Sequence, residues 1–210
     1  IVIPNCVSID YKNISKEIAQ KAKQIREKYK DKCICFTVGR HIPYKGIEYL
    51  VGASKYLDEN YAVLIGGKGP LTEELKEKAK DDPKVEFLGF ISDDDLIAYY
   101  LACDIISFSS ITKNEAFGIS LAEGMSFEKP AVTFTIPGSG VNYVNLDHVT
   151  GLEVPNGNCE AYAEAIRKLY EDKELYHRCA MAARERVDEN FTFDIFRENI
   201  RKLFKEGARS

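Results

Sequence analysis

The chain has 210 residues, enough for one sizeable α/β domain. Hydrophobic residues make up 45% and charged residues 30%, the balance of a soluble globular protein. A net charge of -4 argues against a nucleic-acid partner and gives no general pull toward anionic lipid. No apolar run approaches the ~18 residues of a membrane span, and no signal-peptide pattern is present.

The chain opens Ile1-Val2-Ile3-Pro4 without a Met, inside what reads as a strand, so it is expected to be a piece of something longer. A Lys-rich amphipathic helix over 15–30 follows, packed on the outside. Short apolar, β-branched runs then mark strands at 33–38, 61–65, 85–88, 104–108, 131–134 and 151–154. Helical patterns lie between them at 46–58, 71–80, 93–101, 118–127 and 139–145, with three more at 159–171, 174–188 and 193–206. This alternation predicts a mainly parallel sheet of about six strands with helices on both faces. Six cysteines with no C-x-x-C pair, and only three His, point to reduced and mostly buried thiols in a cytosolic protein and away from a zinc site.

In such a sheet, ligands bind at the carboxyl ends of the strands, in the loops that open the following helices. The first loop, Val38-Gly39-Arg40-His41-Ile42-Pro43-Tyr44-Lys45-Gly46, puts two cations at a helix start. Free N–H groups and the helix dipole already favour anions there. Arg40 offers a planar fork for phosphate oxygens and Lys45 a mobile point charge; the plain alternative is two solvated surface cations. The second loop, Gly66-Gly67-Lys68-Gly69-Pro70, matches neither phosphate-binding glycine fingerprint and reads first as a tight turn. In the third, Ser92-Asp93-Asp94-Asp95, a metal-binding pair of aspartates competes with a helix cap carrying acids in its first turn. The cap is the better fit.

The fourth loop is the richest, running from Ser109 through Glu115-Ala116-Phe117-Gly118 to Glu123. Eight positions separate the two glutamates, which therefore occupy different parts of one cleft rather than forming a tight acid–base pair. Carboxylates suit sugar hydroxyls as strong acceptors, and Gly118 allows close backbone approach. Spacing alone does not choose between that and one capping plus one surface acid. The last loop, Ile136-Pro137-Gly138-Ser139-Gly140-Val141, reads as mainly architectural, and His41 and His148 as incidental to chemistry.

Taken in order, these loops resemble the C-terminal domain of family 4 glycosyltransferases, a retaining group with the GT-B fold. The matching segments are Ile3-Pro4-Asn5, Val38-Gly39-Arg40 with Pro43-Tyr44-Lys45-Gly46, Gly66–Pro70 and Phe87-Leu88-Gly89. They continue with Glu115-Ala116-Phe117-Gly118 to Glu123, Lys129-Pro130, Pro137–Val141 and Thr150-Gly151-Leu152. The resemblance implies a Rossmann-like three-layer sandwich over 1–190, one half of a GT-B fold. A terminal helix over 191–210 would pack back toward an N-terminal domain.

By that resemblance Arg40, Lys45 and Glu115 form the catalytic set. The two cations hold the donor diphosphate, and Glu115 and the N–H groups of Phe117 and Gly118 hold the sugar. Glu123 holds the ribose, and Phe90 and Ile91 lie near the base. The donor would be a UDP-, GDP- or ADP-sugar, with no cofactor and no metal. A hexose would pass with retention to a glycan or lipid-linked acceptor in polysaccharide biosynthesis. The acceptor site belongs to the N-terminal domain, and that half could also attach the otherwise cytoplasmic protein to the inner face of the membrane. Two positions depart from the family: Cys6 and Glu128 stand where Gly is common. The rival expectations are a stand-alone nucleotide-binding module and a sugar-nucleotide epimerase of related fold.

Overall fold

Six short apolar runs form strands: β1 (Cys33–Val38), β2 (Tyr61–Gly66), β3 (Val85–Gly89), β4 (Ile105–Phe108), β5 (Ala131–Phe134) and β6 (Gly151–Val154). In the computed structural model, which describes residues 3–207, they make one sheet in the order β3-β2-β1-β4-β5-β6. Every pairing is parallel. The residues of β2, β4 and β5 are all buried and β1 nearly so, whereas edge strand β3 is half-buried throughout. That is why the inner strands are unbroken apolar runs: each is covered on both faces.

The helices are α1 (Lys16–Lys28), α2 (Ile47–Ser54), α3 (Thr72–Ala79), α4 (Asp93–Ala102), α5 (Ile119–Met125), α6 (Val141–Val144), α7 (Cys159–Glu171), α8 (Lys173–Asn190) and α9 (Phe193–Gly207). On one face α2 packs against α3 and α7; on the other α1 packs against α4, and α5 against α8. The three-layer Rossmann-like sandwich is thus the observed architecture. Helix α1 is capped by Ser15, whose side chain accepts from the Ile18 N–H. It buries Ile18 and Ala22 against Ala98 and Ala102 of α4, while its Lys21 reaches Asp95 and its Lys28 reaches Glu86.

Several boundaries differ from the sequence pattern for local reasons. Helix α2 stops at Ser54 because Lys55, Tyr56 and Leu57 switch to bonds three residues back, a tightened last turn. The helix expected over 139–145 shrinks to α6, because the Ser139 hydroxyl turns back to the Glu115 carbonyl. Ile1 and Val2 lie outside the described residues, and Ile3 and Pro4 pair with no strand; the segment is tied down further on, where the Val7 N–H donates to the Phe191 carbonyl. Ser92 caps α4 by accepting from the Asp95 N–H, and its hydroxyl donates to the Asp95 carboxylate. All six thiols are free, and four are buried. Helix α9 leaves Phe193 and Phe204 of its apolar stripe exposed, with Phe196 and Ile200 half-buried.

Glu128, where the resembled family has Gly, follows α5 at φ 58. A side chain there carries roughly 1–2 kcal/mol of strain. Among the described residues its carboxylate makes no hydrogen bond or ion pair that would offset this. Glu128→Gly should therefore raise stability by about 0.5–1 kcal/mol, since the glycine's freer unfolded chain takes part of the gain back. Thermal unfolding would show this as a Tm about 1–4 °C higher; an unchanged or lower Tm would contradict the strain assignment.

Candidate functional site

In this strand order β1 is flanked by β2 and β4, and successive connections leave it in opposite directions. The loops after β1 and β4 therefore diverge to opposite faces, opening a crevice at their carboxyl ends. A cavity of about 500 Å³ occupies that crevice. Arg40, Lys45, Glu115, Phe117, Gly118 and Glu123 all line it.

The β1 loop is fixed from both sides. A Cβ on Gly67 or Gly69 would run into the backbone of Gly39 or His41, so the second glycine loop is glycine-rich because another backbone lies against it. This is the turn reading in physical form, and Lys68 projects into solvent. His41 is fully buried, its Nδ1 2.9 Å from Thr72 Oγ1 and its Nε2 3.4 Å from the Gly66 carbonyl. Burial holds its pKa below the ordinary imidazole value, so it is a neutral brace between the two loops. On the other side, Gly46 takes φ 61, and any Cβ there would strike the Ser109 carbonyl. Ser109 Oγ donates to the Lys45 carbonyl at 3.0 Å, and the Ile111 N–H to that of Tyr44. The 3₁₀ turn Pro43–Lys45 is thereby clamped to the β4 loop.

This clamp brings Lys45 Nζ to 2.5 Å from Glu115 Oε2, with the side chains only 17% and 11% exposed. Ser110 Oγ donates to the same carboxylate oxygen at 3.0 Å. The Glu115 loop is held in turn by the last glycine loop: the Gly140 N–H donates to the Ala116 carbonyl, and a Cβ on Gly140 would collide with that oxygen. Arg40 stands exposed at the mouth and, among the described residues, has no ion-pair partner.

Gly118 (φ 91) turns the chain into α5. Among the described residues the N–H groups of Phe117, Gly118, Ile119 and Ser120 find no acceptor, as the first turn of a helix leaves them. Glu123, on the next turn, is 7% exposed. Its Oε2 accepts from the Tyr100 phenol at 3.3 Å and its Oε1 from Ser8 at 3.4 Å. Burial pushes its pKa above the ordinary glutamate value, and those two hydroxyls pull the other way.

Phe90 and Ile91 lie apart from this cavity. They line a neighbouring depression of about 450 Å³ with Lys21, Lys28, Leu88 and Tyr99, and Phe90 is 81% exposed. Conversely, Asn5, Tyr44 and Leu96 line the main cavity without a sequence signal that singled them out. Among the described residues no group of three or more His, Cys, Asp or Glu side chains forms a metal cluster. Among the described residues the cavity thus combines one free cation, one paired cation, four open N–H groups and two buried acids. It suits a ligand with an anionic middle between hydroxyl-bearing ends.

The chain also resembles known proteins. The family model described as glycosyl transferases group 1 matches residues 18–186. The O-antigen chain mannosyltransferase C of Escherichia coli is 33% identical over 178 residues, 84% of this chain and 47% of that protein. The D-rhamnosyltransferase WbpZ of Pseudomonas aeruginosa is 34% identical over 186 residues, 88% of this chain and 48% of that protein. The chain thus spans about half the length of the curated relatives it matches. A crystal structure of a glycosyltransferase from Rickettsia africae superposes with a TM-score of 0.84 at 28% identity, covering 98% of this chain and 56% of that one. HepE of Anabaena, crystallised with UDP and glucose, gives a TM-score of 0.85 at 20% identity over the same shares. At that identity it shows the shared fold. Among the described residues no helix is long and apolar enough to cross a membrane.

The raised pKa of Glu123 has a consequence for stability. A carboxyl whose folded pKa exceeds its unfolded one stabilises the fold fully below the ordinary glutamate range, and that contribution is lost as pH rises through the raised value. As pH rises, the buried Glu123 carboxylate is therefore a burden. Glu123→Gln should raise Tm by about 2–4 °C near neutrality, the size of a ~1 kcal/mol gain in a domain of this length. That gain should shrink in acid. A Tm difference that does not vary with pH would count against it.

Proposed function

The chain belongs to the glycosyl transferases group 1 family, and from that premise we propose that it is the donor-binding half of a retaining hexosyltransferase. It holds a UDP-, GDP- or ADP-sugar, and in the full-length protein the sugar passes to a glycan or lipid-linked acceptor seated on a further domain. The observation that carries this reading is the gathering of Arg40, Lys45, Glu115 and Glu123 around one cavity at the β1/β4 crevice.

In this reading Arg40 and Lys45 hold the diphosphate. As the bond between the anomeric carbon and the diphosphate oxygen breaks, negative charge grows on the leaving group, and two fixed cations stabilise it where a metal would otherwise serve. Glu115 accepts hydrogen bonds from the sugar hydroxyls, beside the N–H groups of Phe117 and Gly118. Glu123 accepts from the ribose. The acceptor hydroxyl bonds to the anomeric carbon on the face the diphosphate leaves, its proton passing to the departing diphosphate oxygen, which preserves the anomeric configuration. Phe90 and Ile91, in the loop that opens α4, take the base, which requires the nucleotide to run past Leu96 toward that loop. Lys45 is already engaged by Glu115, so donor binding redistributes an existing ion pair: phosphate takes the ammonium and sugar hydroxyls take the carboxylate. The names of the two curated relatives, an O-antigen chain mannosyltransferase and a D-rhamnosyltransferase, support a role in glycan assembly.

Thermal shift with UDP, GDP and ADP and their sugar conjugates tests the reading. For a site of about 1 mM affinity, ~10 mM ligand adds roughly 1.4 kcal/mol, a rise of about 3–6 °C. Arg40→Ala or Lys45→Ala should each weaken nucleoside diphosphate binding by about 1.5–3 kcal/mol. Lys45→Ala should fall at the upper end, because it leaves Glu115 unpaired beside the phosphates. Glu115→Ala should weaken binding only when the sugar is attached, and should strengthen binding of the bare diphosphate by freeing Lys45. Unchanged affinity in both cation variants, measured on the full-length protein, would sink the phosphate assignment.

A further inference from the structure

The ribose role of Glu123, on which this inference rests, leaves open how a carboxylate at a cavity wall keeps one orientation. Glu123 projects from α5, and no cation pairs with it among the described residues. Its fixed partners are two hydroxyls from other parts of the chain. The phenol of Tyr100, on α4, is 1% exposed and lies 3.3 Å from Oε2 and 3.1 Å from the Ser120 carbonyl. Ser8, in the segment before α1, donates to Oε1 at 3.4 Å. The Tyr100 ring has no freedom to leave. It stacks on Phe127 at 5.7 Å between centroids and meets Phe36 edge-on at 5.5 Å. Of the two acceptors within reach of its single proton, the ionised carboxylate is the stronger.

We infer that Tyr100, assisted by Ser8, is a positioning residue for nucleotide binding, holding the Glu123 carboxylate so that its remaining lone pairs face the cavity and the ligand's ribose hydroxyls. Each hydroxyl occupies one lone pair on a different oxygen, which fixes both the tilt and the rotation of the group. Each also favours the ionised form that a hydroxyl-bearing ligand needs as acceptor. The other charged and titratable groups around Glu123 are few. Asp93 in the first turn of α4 opposes its ionisation. Arg40, Lys45 and Glu115 face it across the cavity, Cys103 lies behind Tyr100, and Arg184 of α8 is held by Asp188 and the Ser126 carbonyl. None of these replaces the two hydroxyls as a direct partner.

The test uses the full-length protein and titration calorimetry with a nucleoside diphosphate (whichever of UDP, GDP and ADP the parent binds tightest) and its 2′,3′-dideoxy analogue. Both are measured from about pH 4, near the ordinary glutamate value, up to about pH 8. The parent should prefer the ribose form. Tyr100→Phe, which keeps the ring and its packing, should lose about fivefold in affinity for the ribose form, the effect of one ordinary hydrogen bond. It should leave dideoxy binding unchanged, and the acid limb of its binding profile should move to higher pH. Ser8→Ala removes only an exposed side chain and keeps the test open should the phenylalanine variant fold poorly; its limb should move the same way by less. Acid limbs that stay in place in both variants, with the parent's ribose preference intact, would overturn the positioning role. A parent that binds ribose and dideoxyribose forms equally would overturn the ribose assignment of Glu123 itself, and this inference with it.

Discussion

The cavity depends on β1 being held between two parallel neighbours that lead the chain in opposite directions. The pairing with β2 runs the whole length of the strand, but the pairing with β4 rests on only two positions, Cys35 with Ile105 and Phe36 with Ile106. That short seam is reinforced at its lower end by one carboxylate. Asp104 Oδ2 accepts from the Ile34 N–H and from Arg26 of α1, each at 2.7 Å. Arg26 in turn donates to the carbonyls of Tyr29 and Lys32. A helix outside the sheet thus pins the seam from below, and the Ser109, Gly46 and Tyr44 contacts clamp it above. The backbone segments that carry Lys45 and Glu115 are thereby held side by side, while the ends of the two side chains can re-pair with a ligand.

Much of this was legible in the sequence because it follows from periodicity. Continuous apolar runs such as Cys33–Val38 and Ala131–Phe134 fit strands covered on both faces, and all six strands and their intervening helices occur near those runs, with α2 and α6 shorter than the pattern. The candidate side chains were legible for a related reason: in this topology, polar residues just after a strand end have one place to go. What the pattern did not contain was their pairing. Lys45 and Glu115 lie 70 positions apart and meet through backbone contacts of Gly46 and Ser109, which leave no trace in residue type beyond a single glycine. Tyr100 reads as one more apolar residue of an amphipathic helix, because a buried phenol and a buried phenylalanine contribute alike to periodicity. The loop carrying Phe90 and Ile91 shows the reverse limit. Its sequence motif is clear, but the side-chain direction that puts Phe90 81% into solvent is not encoded in spacing.

The glycines divide in the same way. Gly67, Gly69 and Gly140 are required because another backbone passes where a Cβ would sit, so they are architectural even though they stand in loops around the site. Gly118 has a different reason, a φ of 91 that turns the chain into α5 and leaves its first N–H groups open to the cavity. A glycine-rich loop in this fold is thus evidence of crowding first, and of ligand contact only where the crowding is absent.

The Lys45–Glu115 contact gives the cavity a counter-ion of its own, which a ligand has to exchange. A simple anion entering it must separate the ammonium from the carboxylate and can offer the carboxylate nothing, because phosphate at neutral pH is a poor donor. A ligand that carries hydroxyls next to its diphosphate satisfies both partners in one exchange. The same contact that neutralises the resting site would therefore bias it against free phosphate and bare nucleotides, and make occupancy answer to two chemistries arriving on one molecule.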